Sequence, residues 1–234
     1  MSFLLIFESS MKSSISYRFS QKYREPHAYL IIKNYTRDPH KLKDVLGVIS
    51  KISYTISDKG KKNTPVRHYI DKHEGVPLWV LVNYLTLGNV NFFYKCLRDT
   101  LKNIIAKDFA DNYKRDYSQR IHLTSDMMES ILKTTNYYRN VCAHEERLYS
   151  YRIYKPSPSS DISTALNIPN NKLNKGNVFT LVSFLKLVIP KKEHKALIIQ
   201  INRHFNKYES KFNSVKFTEI LKVMGFPRNW ENYL

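Results

Sequence analysis

Apolar residues recur every three to four positions through most of this chain, and strict apolar–polar alternation is nowhere sustained. That period belongs to helices with one buried face, so the pattern predicts an all-α protein. Residues 10–24, "SMKSSISYRFSQKYR", read as a basic amphipathic helix, followed by a turn-rich stretch with Pro26, Asn34 and Pro39. Leu42, Val45, Leu46, Ile49 and Ile52 mark a helix over 40–57, and "DKGKKNTPVR" has the composition of a loop. Pro77 suits a first helical turn and Gly88 the position just past a helix end, which predicts a helix over 77–87. A further helix over 90–109 would bury Phe93, Cys96, Leu97, Leu101, Ile104 and Ile105. Asp126 and Glu129 have capping-box spacing, so the next helix starts near Ser125 or Asp126. Residues 156–177 are rich in Pro, Ser and Asn and read as a long loop of the kind that borders functional grooves. Helices resume at 178–189, at 191–212 after Pro190, and at 216–224, the last ending on Gly225 before Pro227. With no internal repeat, residues 1–234 are expected to form one domain: a core over 1–155, the 156–177 loop, and C-terminal helices over 178–234 packed on that core.

Charge changes the picture from architecture to partners. Thirty-eight Lys and Arg against 20 Asp and Glu give a net charge of +18, a surface that attracts polyanions, with nucleic acid first and an anionic membrane surface second. The opening apolar run, Phe3 to Phe7, is too short for a signal core or a membrane span, so a cytoplasmic protein is expected. Cys96 and Cys142 lie far apart without CxxC or Cys/His spacing, which argues against a disulfide framework and a structural zinc site. Cys142 is expected to be a small buried packing residue.

The stretch "NYYRNVCAHEERLYS", residues 136–150, concentrates the candidate chemistry. At about 100° per residue, Met128, Ile131, Leu132, Thr135, Tyr138 and Cys142 gather on one side of its helix as core. Lys133, Asn136, Tyr137, Asn140, His144 and Arg147 fall on the other side, and Asn140 and His144 are one turn apart. Arg139 is about 140° around from His144. An arginine followed by histidine five to seven positions later occurs three times, at Arg67 and His73, Arg115 and His122, and Arg139 and His144. Only the last sits on a well-anchored amphipathic helix beside an asparagine. Histidine takes and gives protons near neutrality, and arginine holds phosphate through paired hydrogen bonds. Together they suit RNA cleavage through the 2′-OH, with no metal or other cofactor. Arg147, Lys133 and Tyr137 are candidate RNA-binding neighbours.

Rival constellations are poorer. No nucleotide-cradling Gly-rich loop, GxSxG or HExxH is present. His68, His73 and Glu74 lack a third ligand at a recognisable spacing, and Glu145 and Glu146 point in different directions. The competing reading is a non-catalytic RNA-binding module or RNA-held scaffold whose basic face contacts phosphates; a basic structural or membrane-surface protein is a third.

"RNVCAHEERLY" resembles the signature of the Abi (abortive infection) proteins of the AbiD/AbiF type, within the HEPN superfamily. "HYIDKHEGVPLWVLVNYLTLGNVNFFY" is similar to a second block of that family and "MKSSISYRFSQKY" to a third, in the same order, over about residues 10–155. Ten residues precede the third block, where family members usually carry a further segment. The resemblance implies an all-α HEPN-like helical bundle, metal-independent endoribonuclease action, and a homodimer whose two motifs face a shared cleft. Carried onto this chain, Arg139 would stabilise the pentacoordinate phosphate, His144 would act as general base or acid, and Asn140 would orient phosphate or imidazole. Phage defence and toxin action are the implied settings, with an antitoxin or a cognate noncoding RNA as possible partners.

Overall fold

The structure, a computed structural model, describes residues 1–212 and 214–234. Its regular elements among the described residues are twelve α-helices, five short 3-10 turns and no strand, so the fold is all-α. Contacts divide the chain into two compact units, Glu8–Asp108 and a second made of Met1–Phe7 with Phe109–Leu234.

Helix α1, Ser2–Lys22, starts well upstream of the expected residue 10 because Phe3, Leu4 and Phe7 continue the buried stripe of Met11, Ile15 and Phe19. Within Glu8–Asp108 it is followed by three 3-10 turns and by α2, Leu42–Gly60, which buries Val45, Val48, Ile52 and Thr55. Helix α3, Pro65–Lys72, occupies part of the expected loop; Thr64 caps it and Pro65 stands at its first position.

The expected helix over 77–87 is a correction. Helix α4 covers only Leu78–Leu81, and a 3-10 turn continues it through Tyr84. Thr86 then opens α5, Leu87–Cys96, through a capping box with Asn89, so Gly88 lies inside the first turn of a new helix. The capping side chains satisfy backbone N–H groups at the start of the new helix. The helix expected over 90–109 is likewise two: after Leu97 the chain turns and α6 runs Asp99–Tyr117. Arg98 holds that turn by donating to the carbonyls of Lys33 and Tyr35. Around it, Phe19, Tyr35 and Phe93 meet with ring centroids 5.6–6.0 Å apart, and Arg18 grips Asp108 through two hydrogen bonds of 2.5 and 2.7 Å.

In the other unit, Phe7 packs edge-on to Phe109 at 5.9 Å. Helix α7, Ser125–Ala143, lies against α10, Val178–Leu185, whose eight residues are all buried. Residues 156–177 are not one loop: they hold α8, Ser160–Leu166, and α9, Asn170–Leu173. Ile162, Leu166, Ile168 and Leu173 are buried, so scattered apolar residues anchor what composition presents as loop. Helix α11, Lys191–Glu209, follows Pro190, and α12, Phe217–Met224, ends at Gly225 as its sequence predicts. Phe205, Phe226 and Trp230 form an aromatic cluster with centroids 4.9–5.9 Å apart.

Gly225 has φ +88°, and a Cβ there would meet the side chain of Asn177 at 1.9–2.5 Å. Asn177 is itself buried and caps α10 by accepting from the Thr180 backbone N–H. Gly225→Ala therefore combines backbone strain with loss of a buried cap, and is expected to destabilise by about 2 kcal/mol. Its urea midpoint should fall well below that of the wild type at unchanged m-value, and a midpoint equal to the wild type's would defeat this reading.

Candidate active site

Helix α7 carries the candidate residues. The expected capping box is a correction: Thr124 is the N-cap, accepting from the Met127 N–H at 3.2 Å, and Asp126 falls in the first turn. One face is fixed by Met127, Met128, Ile131, Leu132, Thr135, Tyr138 and Val141, all buried. Cys142, expected to be buried, is only half-buried, since the helix ends one residue later and less of the unit covers that turn.

Tyr138 ties the motif to the rest of its unit. Its hydroxyl lies 3.0 Å from the Gly176 carbonyl oxygen and 3.3 Å from that of Tyr151, and the Ile153 N–H donates to the same Gly176 oxygen at 3.0 Å. The chain leaving the motif is thus pinned back beside α7. Burial pushes the phenol well above its ordinary range, so it stays a neutral donor.

The helix stops at the motif itself, a second correction: His144 is the C-cap, not a mid-helix residue. Its N–H donates to the Asn140 carbonyl at 2.9 Å, Glu145 turns left-handed at φ 54°, and the Glu146 N–H returns to the Val141 carbonyl at 3.0 Å. This is the Schellman closure, formed here with glutamate where glycine is usual, at a cost of about 1 kcal/mol. Its consequence is positional. Residues beyond Glu145 leave the helical register, so Arg147 does not share the α7 face as the helical wheel would have it.

Along α7, Lys133, Tyr137, Asn140 and His144 follow one another at intervals of four, three and four, forming one continuous outer stripe. Tyr137, Asn140 and His144 are exposed and Lys133 is half-buried. Among the described residues the His144 ring has no hydrogen-bond partner, so both ring nitrogens are open to a ligand. Arg139 is half-buried on another flank of the helix. Arg147 is exposed past the helix end, its guanidinium 5.9 Å above the Tyr149 ring. Within one chain, then, Asn140 and His144 come together, while Arg139 and Arg147 approach from other sides. The Schellman stop was missed in the sequence; the available signal was that the apolar stripe fails after Val141.

Among the described residues, no group of three or more His, Cys, Asp or Glu is placed to hold a metal ion. His68 and His73 stack edge to face at 5.3 Å. Among the same residues, no helix is long and apolar enough to cross a membrane.

Compared with known protein families, residues 1–150 match the model described as Abi-like protein, a span that contains α7 and the whole motif through Arg147. Searches of curated proteins and of solved structures gave no significant match.

Proposed function

This chain belongs to the Abi-like protein family, and from that premise we propose that it is a phage-defence effector of the HEPN type, a homodimer that cleaves RNA without a metal. The observation that carries this reading is the outer stripe of α7: Asn140 and His144 stand exposed on consecutive turns at the end of a helix whose other face is clamped in place. The clamp fixes the backbone while the functional groups stay open to a strand.

Chemically, His144 takes the proton of a ribose 2′-OH, the oxygen attacks the adjacent phosphorus, and the 5′-oxygen leaves with a proton returned by an imidazolium. The products are a 2′,3′-cyclic phosphate and a 5′-hydroxyl. Arg139 neutralises the extra charge on the pentacoordinate phosphate. The carbonyl end of α7 disfavours a phosphate, so Arg139 together with Arg147 must supply the compensating charge. Lys133 and Tyr137 extend the stripe for the flanking nucleotides, as charge and stacking surface. A second protomer brings its own Arg139 to the His144 of the first, an arrangement supported by the separation of about 140° between the two side chains on one helix. Exposed Leu148 and Tyr149 give that dimer contact apolar surface.

The second reading is an RNA-binding module or RNA-held scaffold, with a cognate noncoding RNA as its ligand. It is favoured by that same separation, because binding needs no convergence of Arg139 with His144.

Incubation with a mixed RNA pool in EDTA separates the two. Wild-type cleavage should survive chelation and leave cyclic phosphate ends, and His144→Ala should slow it by about 10²–10⁴-fold while keeping RNA affinity. Cleavage that depends on added metal, or that His144→Ala leaves unchanged, defeats the nuclease reading.

A further inference from the structure

Away from α7, the Glu8–Asp108 unit contains a cavity of about 270 Å³ between α2 and α5. Val48, Ile52, Leu85 and Phe93 form its apolar wall, and Phe92, 49% exposed, stands at the opening with the Lys95 ammonium 6.0 Å from its ring centre. Lys43 and Lys51, both exposed, line the rim from α2, together with Asp44.

Gly47 makes this more than a surface dent. It lies one turn from each of Lys43 and Lys51, in the interior of α2, where glycine is the poorest choice except proline. Nothing lies within 4 Å of the Cβ it lacks. No neighbour within the chain therefore requires glycine there, and any larger side chain would project into the cavity it lines. The backbone stays bare where the cavity is open.

Asn89 adds a directed polar group. Its side-chain oxygen accepts from the Thr86 N–H and hydroxyl in the capping box, which fixes the amide plane and leaves its NH₂ as a donor at the cavity lining. An apolar wall, the Phe92 ring, one amide, one carboxylate and two lysines along the lining match the parts of a nucleotide. The base fits the cavity and stacks on Phe92, its edge meets Asn89 and Asp44, and phosphates on either side meet Lys43 and Lys51.

We propose that this cavity binds one unpaired nucleotide of an RNA strand, a holding site separate from the α7 stripe. The inference rests on the reading that RNA is this protein's ligand, but it concerns binding and needs no cleavage.

The test uses the full chain carrying His144→Ala and a 2′-O-methyl oligonucleotide with 2-aminopurine at a central position, which cannot be cut by 2′-OH attack. Binding should quench the fluorophore. Gly47→Leu, which fills the cavity, should abolish the quenching and weaken binding about tenfold. Lys43→Gln with Lys51→Gln should make the dependence of log affinity on log salt shallower by about 1.4. Phe92→Ala should reproduce the loss of quenching independently of how Gly47→Leu folds.

Unchanged affinity and quenching in folded Gly47→Leu and in Phe92→Ala would overturn the proposal. Displacement of the oligonucleotide by micromolar adenosine monophosphate would overturn the strand assignment in favour of a free nucleotide. Because neither protein nor probe can cleave, failure of the nuclease reading leaves these outcomes readable.

Discussion

Equal mixing of Arg139→Ala and His144→Ala chains is expected to recover about a quarter of the wild-type cleavage rate, although each variant alone has lost nearly all of it. Arg139 and His144 lie on different flanks of α7, about 140° apart, and the helix ends at His144. A single phosphate between them is reached most directly if the arginine comes from one protomer and the histidine from another. In a two-fold dimer each of two sites then draws one residue from each chain. Homodimers of either variant have both sites broken. A mixed dimer has one site lacking both residues and one site lacking neither. Random exchange makes half the dimers mixed, each with half its sites intact, which gives the quarter. Rate is followed on a fluorogenic RNA after the chains have been exchanged by mild denaturation and refolding. A site built within one chain would show no recovery at any mixing ratio, and that result would remove the dimeric arrangement while leaving His144 as a candidate.

The places where sequence and structure agree share a physical feature: one local rule decides them. Pro190 cannot continue a helix, and α11 begins at the next residue. Gly225 is free to turn left-handed, and α12 stops there. Tyr138 sits at core spacing and is fully buried. The errors arise where two rules compete. Gly88 has the composition of a stop, but Thr86 and Asn89 cap a helix around it, and side-chain hydrogen bonds to the first turn prevail over glycine's weak propensity. Residues 156–177 look like loop because Pro, Ser and Asn dominate, yet Ile162, Leu166 and Leu173 have enough apolar neighbours to hold two short helices. Tertiary burial is invisible to composition. The candidate stripe was legible as far as His144 because helical periodicity holds that far. Arg147 was misplaced because Glu145, with no glycine to announce it, reverses the chain. The cavity beside Gly47 was not legible at all, since it depends on which face of α5 lies opposite α2.

Acid should destabilise this protein through His194, on the helix that follows α10. His194 is 1% exposed, and a ring nitrogen, Nε2, donates to the Val182 carbonyl of α10 at 3.1 Å. Burial pushes its pKa down to about 4, the Val182 hydrogen bond partly opposes that, and the nearby Lys186 ammonium adds to it. Lys186 is itself held below its ordinary value by burial. In the unfolded chain the imidazole titrates at about 6.5. Between those two values the unfolded state takes up a proton that the folded state refuses, so stability falls as pH drops from about 6.5 towards 4 and is level above that window. The full displacement corresponds to about 3 kcal/mol, a large share of the 5–15 kcal/mol typical of a domain. Urea midpoints at pH 7.5 and pH 4.5 read it directly. His194→Gln keeps a donor for Val182 but cannot titrate, so its stability should change by about 2 kcal/mol less across the same interval. Carboxylates that begin to protonate at pH 4.5 act on both proteins alike and cancel in the difference. Parallel losses in the two proteins would show that His194 does not govern the acid response. Because α10 is the helix against which α7 rests, loosening at His194 removes support from the face that holds the candidate stripe, and cleavage should decline over the same pH window even at temperatures where the chain remains folded.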